Sequence, residues 1–424
     1  MKRIAIVAAC LLGVWGVSGM RAAEETPHRE SVLVGRVRAV MSEMLHRLPD
    51  YTCVETIERT TRGANETKYK RLDKVRVEVA YYKGSELYAW PGAPRLEARD
   101  LAEMVGGEGA IGTGDFALHL MAAYRGNAPL HFAGEETLHG RKAYKFTQDV
   151  PMEASNFTMS AAPVRGVVGY RVTAWHAADT LDLLRFELTV TEFPSGMPLR
   201  KTFKAIDYQL VKVGESEFLL PATTDLTTVY ANGVEGRTVS TFAHCRQYLG
   251  ESTITFGDID PGTGRPAERP PMKLPEGVKV PVRLNQDLDL TKAARGDLVE
   301  MAVSRDVLSQ GHKVLERGAK VEARVEGVYC ETKPYSYCFL LMRGESYDAA
   351  AQTGPFLGLL EQPTLEQELL QHRKIFATPG EQIPDEVIHA PKDLSVLLAT
   401  GDGRLARGYP MIWRTLEIPG GPTP

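Results

Sequence analysis

Between Tyr170 and Tyr248 the chain is one almost unbroken run of strand-forming residues, and no feature constrains its fold more. The segments YRVTAWHAADTLDLLRFELTVTEF, LRKTFKAIDYQLVKV and EFLLPATTDLTTVYANGVEGRTVSTFAHCRQY are rich in Val, Thr, Leu, Phe and Tyr. They are interrupted only where Gly, Pro, Asn or Asp can turn the chain. This predicts an antiparallel sheet of four or more strands and a mainly β fold with a few helices. No part of the run has the spacing of a catalytic constellation.

At 424 residues the chain is longer than one hydrophobic core usually organises, so two domains are expected. Hydrophobic residues make up 43%, enough for both cores. The net charge of -4 is a mixture of both signs without a Lys/Arg block, which argues against nucleic acid as a partner.

Compartment is read from the first residues. Lys2 and Arg3 precede an apolar run from Ile4 to Val17, and small residues with Ala22-Ala23 follow. That is the plan of a secretory signal peptide over residues 1–23, with a mature chain from near Glu24. The run falls short of the roughly 20 residues a membrane span requires, and no later segment is long and apolar enough. Cys10 lies too early for lipidation. An exported protein is expected, periplasmic or secreted, with a peripheral place at the outer membrane open.

Beyond the leader stand Cys53, Cys245, Cys330 and Cys338, an even number in a chain bound for an oxidising space. Cys330 and Cys338 flank ETKPYSY, a hairpin turn, so a bridge across its strands fits best and leaves Cys53 with Cys245.

The mature chain opens with Val34, Val37, Met41, Leu45 and Leu48 at steps of three and four, the stripe of an amphipathic helix over 29–48. YTCVETIERTT is extended. Val75, Val77, Val79 and Tyr81 then alternate with polar residues up to a Lys83-Gly84-Ser85 turn, which predicts a hairpin with one buried face. Gly107, Gly109 and Gly112 match a GxGxxG spacing, but acidic, helix-like ARDLAEM precedes them where a dinucleotide site needs a strand. A loop is expected there, with a short helix from Phe116 to Tyr124, the two forming a movable cover. His131 and His139 flank a hairpin and His176 follows Trp175; all three are read as surface or satisfied sheet residues. No metal-ligand spacing, nucleophile elbow or cofactor motif is present, so no metal, cofactor or catalytic residue is expected.

The N-terminal helix, the strand begun by LPDYTC and the late Gly214...FLLP strand pair resemble bacterial outer-membrane lipoprotein carriers and large families of exported bacterial proteins with the same layout. The resemblance covers about half the chain, residues 24–256. It implies an incomplete barrel curled around helices whose hollow holds an acyl chain or a lipidated protein. On that implication the lining is assigned to Val34, Val37, Met41, Phe116, Phe186, Phe203, Tyr208 and Phe218.

Residues 257–274 hold four prolines and no apolar periodicity, which marks a linker. Beyond it Val278, Val280, Val282 and Leu284 alternate, as do Val299, Met301 and Val303, and again Ala319, Val321, Ala323 and Val325. A small barrel or sandwich over 275–424 follows, with a helical insertion near 357–376 and Trp413 in its core. LPEGVKVPVRLNQDLDLTKAARGDLVEMAV resembles the small barrels of conjugation and type IV secretion pore proteins, which implies an interaction module for an envelope partner. Arg295-Gly296-Asp297 is read as a tight turn before a strand. The leading expectation is a non-enzymatic envelope protein that binds an apolar ligand. A scaffold without a cavity is the alternative, and a hydrolase with dispersed residues stands behind both.

Overall fold

A computed structural model describes residues 18–93, 96, 100–106, 109–248, 272–331, 336–350, 352–361 and 383–417. The apolar run 4–17, the linker up to residue 271, Gly107 and the helix expected within 364–375 lie outside the described residues.

The N-terminal half is one mainly β unit. Helix α1 (Ser18–Arg47) leads into β1 (Tyr51–Arg62), β2 (Lys70–Tyr82) and β3 (Ser85–Ala89). Two short helices follow, α2 (Leu101–Val105) and α3 (Leu118–Arg125), and then β4 (His131–Leu138), β5 (Arg141–Val150) and the small hairpin β6 (Thr158–Ala161) and β7 (Val164–Val167). The expected meander is five strands: β8 (Gly169–Ala177), β9 (Leu183–Glu192), β10 (Leu199–Val213), β11 (Ser216–Tyr230) and β12 (Glu235–Gln247). All but β6 and β7 join a ten-stranded sheet in the order β3-β2-β1-β12-β11-β10-β9-β8-β5-β4, curled as an antiparallel half-barrel.

Alternation explains the curl's inner face. On β2, Val75, Val77 and Val79 are fully buried, as period-two patterning requires of a half-buried strand. The β2–β3 turn uses Lys83 and Gly84, both at positive φ, the backbone that matches strand twist in a two-residue hairpin. Against this face lie Val37, Met41 and Leu45 of α1 and Leu120, Ala123 and Tyr124 of α3, in one continuous core. Arg38 fixes the helix by donating to Ala128 O at 2.7 Å.

Both cysteine pairs are disulfides, Cys53–Cys245 and Cys330–Cys338. The first joins β1 to β12 where the register slips between Thr52 and Val54, so the bridge pins a bulge.

The C-terminal half consists of β13 (Lys279–Leu284), β14 (Leu288–Asp289), β15 (Leu298–Val303), β16 (Val307–Ser309), β17 (His312–Leu315), β18 (Lys320–Glu331), β19 (Tyr337–Asp348), β20 (Thr353–Pro355), β21 (Gly358–Leu360), β22 (Ser395–Thr400), β23 (Arg404–Leu405) and β24 (Pro410–Thr415). Its main sheet runs β20-β19-β18-β15-β13-β24-β21, with β22 on β19. Strand β21 reaches β22 through Leu360 N, which donates to Ser395 Oγ at 2.9 Å, but among the described residues no strand ladder joins the two. Trp413 is fully buried in this second core, together with the three alternating sets read from sequence.

Arg295-Gly296-Asp297 is more than a turn. Arg76 N donates to Arg295 O at 2.8 Å and Arg295 N to Lys74 O at 2.9 Å, so the loop pairs with β2. Arg76 grips Asp297 at 2.5 Å. Gly296, at φ +97°, lies so close that an added Cβ would fall 2.4 Å from Arg76 O. Only glycine fits there.

Candidate functional site

Three strands turn charged side chains into the hollow. On β1, Cys53, Glu55, Ile57 and Arg59 share the inward face, and Glu55 and Arg59 are 3% and 2% exposed. On β10, Thr202, Lys204, Ile206 and Tyr208 do the same. From β3 comes Glu86, half-buried as a residue, its carboxylate enclosed by Tyr88, which donates to it at 2.7 Å, and by the backbone N–H groups of Gly114 and Phe116 at 2.7 and 3.1 Å.

These groups hold the glycine-rich segment. Lys204 Nζ donates to Asp115 Oδ1 at 2.5 Å and to Thr113 O at 3.1 Å, and lies 3.5 Å from His119 Nε2. Thr238 of β12 donates to Ala110 O at 2.7 Å. The absence of a side chain at Gly112 makes this possible, since a Cβ there would stand 2.6 Å from Lys204 Nζ. The segment 109–116 is therefore tied down to β3, β10 and β12 and is not a free cover.

Charge in this enclosure is costly unless paired, and the titrating groups respond. Burial first, and then neighbouring Asp115, push the Glu55 carboxyl up to about 8, so it is protonated at neutral pH. Burial and then Asp115 also raise Glu86. Burial and then the Lys204 ammonium bring His119 down to about 4, leaving it neutral. Lys204 and Asp115, both nearly buried, face each other as an ion pair.

Beside this cluster the hollow is open. A cavity of about 450 Å³ lies between segment 109–113, hairpin β6–β7 and strands β9 to β11, with Ile111, Phe157, Met159, Leu188, Leu199 and Leu226 among its walls. A second of about 650 Å³ continues under α3 toward Phe186 and Tyr170. The two share Thr113, His119, Phe157, Thr158 and Leu188 and so form a cleft that crosses β11, β10, β9 and β8. Three inter-strand steps of about 4.8 Å make it about 14 Å long.

Of the residues assigned to the lining from sequence, Phe186 borders this cleft. Val37, Met41, Phe116 and Tyr208 are between 0 and 8% exposed and pack into the core, and Val34 and Phe218 pack against it half-buried. Phe203 is half-buried and stands outside that core, because between Thr202 and Ile206 the strand alternates and Phe203 points to the face opposite Thr202, Lys204 and Ile206.

His176 is a satisfied core residue. Its Nδ1 lies 2.8 Å from Leu181 O, which can only accept, so that nitrogen carries the proton and Nε2 accepts from Tyr124 Oη at 2.7 Å. No group of acidic, His or Cys residues among the described residues has the geometry of a metal site, and no described helix is long and apolar enough to cross a membrane.

No protein-family model matches the chain, and no curated protein is similar to it in sequence. Among solved structures it is similar to a DUF1329 family protein from Desulfovibrio piger, at 13% identity and a TM-score of 0.31, over 52% of this chain and 94% of that one. It is also similar to a protein from Vibrio parahaemolyticus named as an outer membrane lipoprotein-sorting protein domain, at 10% identity and a TM-score of 0.30, over 53% of this chain and 95% of that one. Identities and TM-scores this low establish neither family nor activity.

Proposed function

We propose that the protein is a non-enzymatic, exported envelope protein that holds an acyl chain in the cross-strand cleft of its N-terminal half-barrel. The observation that carries this reading is the pair of adjoining cavities beneath β6–β7 and α3, walled by Leu188, Leu199, Leu226, Phe157 and Phe186. Carbon–carbon bonds of about 1.5 Å advance an extended chain about 1.25 Å each, so a cleft of about 14 Å accepts about eleven carbons. Burying ten methylenes gains roughly 8 kcal/mol, enough to offset the lower range of association costs and leave modest affinity.

The separate hydrophobic clusters of the N-terminal and C-terminal halves support two units, residues 24–256 and 275–424, joined by the linker 257–274. The C-terminal unit is read as the module that meets an envelope partner; Leu308 at the β16–β17 hairpin is 63% exposed, which suits such a contact. A packed scaffold is the second reading, favoured by the way Val37, Met41, Phe116 and Tyr208 fill the hollow beneath α1.

Native mass spectrometry of protein purified without detergent, with organic extraction alongside, tests the carrier reading. A bound acyl species is expected, together with a shifted fluorescent fatty-acid probe. Ala161→Trp, which plugs the cleft from the hairpin side, should abolish the shift. A chain that arrives empty and leaves the probe unchanged returns the domain to the scaffold reading.

A further inference from the structure

At one end of the cleft two buried threonine hydroxyls have no partner among the described residues. Thr202 of β10 and Thr228 of β11 stand directly opposite each other in the ladder, both are 3% exposed, and both border the cavity. Neither Oγ1 makes a hydrogen bond among the described residues. A buried hydroxyl without a partner is unfavourable, and two facing each other on one wall are unusual. Thr238 on the next strand shows the contrast, because its hydroxyl is satisfied by Ala110 O.

The charges around the same cavity narrow what would satisfy them. Arg59 is taken by Asp73, and the three N–H bonds of Lys204 are directed at Thr113 O, Asp115 and His119 Nε2. His119 is neutral, as shown above. Asp100 caps α2 by accepting from Ala102 N at 2.8 Å. Arg165 on β7 is exposed at the mouth, and among the described residues no carboxylate pairs with it, so it is the cation there that can meet a ligand.

We infer that Thr202, Thr228 and Arg165 form a head-group site for a long-chain carboxylate, whose two oxygens accept from the two threonine hydroxyls while Arg165 supplies the opposite charge. Directly opposed residues have Cβ atoms about 5 Å apart, a span that one carboxylate can bridge from between them. From there the tail runs past Leu226 and Leu188 to Phe186 and Tyr170. This inference rests on the acyl-chain reading of the cleft and adds the chemistry of its polar end.

The test is displacement of a fluorescent fatty-acid probe from the delipidated full-length mature protein by dodecanoic acid and by methyl dodecanoate, in the wild type, in the Thr202→Val/Thr228→Val double variant and in Arg165→Gln. In the wild type the acid should bind about tenfold more tightly than the ester, the worth of a charge-assisted hydrogen bond lost. The double variant should lose about that factor for the acid, bind the ester as before, and melt no lower than the wild type. Arg165→Gln should weaken the acid alone and remove its salt dependence. Equal binding of acid and ester by the wild type, or a double variant that keeps the acid's advantage, overturns the head-group site and leaves the cleft reading standing. Failure of both ligands to displace or bind overturns the two together.

Discussion

Replacing Glu55 by Gln should stabilise the protein at alkaline pH and leave it almost unchanged at acid pH. Glu55 is 3% exposed on the inner face of β1, and burial followed by the Asp115 charge raises its carboxyl from 4.5 to about 8. Between those values the folded protein keeps the proton and the unfolded chain has released it. The stability that Glu55 contributes is therefore present below about pH 4.5 and lost as the pH rises toward 8. A gap of about 3.5 pH units at 1.36 kcal/mol each sets an upper bound of about 5 kcal/mol on that loss. Glutamine keeps the shape and cannot ionise, so it escapes the loss. Glu86 is also raised by burial and contributes a slope of the same sign, but it does so in both proteins, and the difference between them isolates Glu55. Urea unfolding at about pH 5, 6.5 and 8 reads the effect as a widening gap in midpoint at constant slope. Parallel pH profiles, or a variant less stable at about pH 8, would refute the claim that this carboxyl is buried and neutral.

The two disulfides should differ in weight. Removing Cys53–Cys245, whose partners are 192 residues apart, is expected to cost about 5 kcal/mol in the chain-entropy account, against about 2.5 for Cys330–Cys338 across 8 residues; thermal melts of the paired Cys→Ala variants check the order, and a costlier short bridge contradicts it. Where the N- and C-terminal halves meet, Arg76→Ala and Asp297→Ala should couple by about 1 to 3 kcal/mol in a double-mutant cycle, since the pair is only partly exposed. Additive losses would mean that the contact contributes no docking energy.

Much of the fold was legible because its signals are local. Val75, Val77 and Val79 alternate in sequence and are all buried in the structure, and Val37, Met41 and Leu45 fall on one face of α1 as their spacing requires. The disulfides followed from a hairpin and from elimination. The site was less legible, although part of its signal was present. In CVETIERT the inward positions of Cys53 and Ile57 also claim Glu55 and Arg59, and in TFKAIDY the parity that buries Ile206 buries Lys204. A strand that places charge on its apolar face marks a polar centre, and a search for large apolar residues passes over it. Phe203, placed in the lining by the carrier resemblance, alternates with Thr202 and Lys204 and so lies on the other face of β10. What no local pattern carries is the pairing of Lys204 with Asp115, 89 residues away in sequence, or the cavity that Phe157 and Leu188 share.

The roof of that cavity is set partly from the other half of the chain. Arg295 reaches from the C-terminal unit to donate to Val105 O at 2.7 Å, at the end of α2 and four residues before the segment 109–116 that roofs the cleft. Its guanidinium also lies 5.6 Å over the Trp90 ring. Arg324 adds bonds to Pro91 O at 2.9 Å and Gly296 O at 2.8 Å, which fix the loop against β3's exit. A carbonyl at a helix C-terminus needs a donor, and here that donor belongs to the C-terminal unit. Loss of the Arg295 contact would leave Val105 O without this donor while segment 109–116 stayed tied by Glu86 and Lys204. The segment 109–116 is thus held by the hollow it covers, and the end of α2 that precedes it by the C-terminal half of the chain.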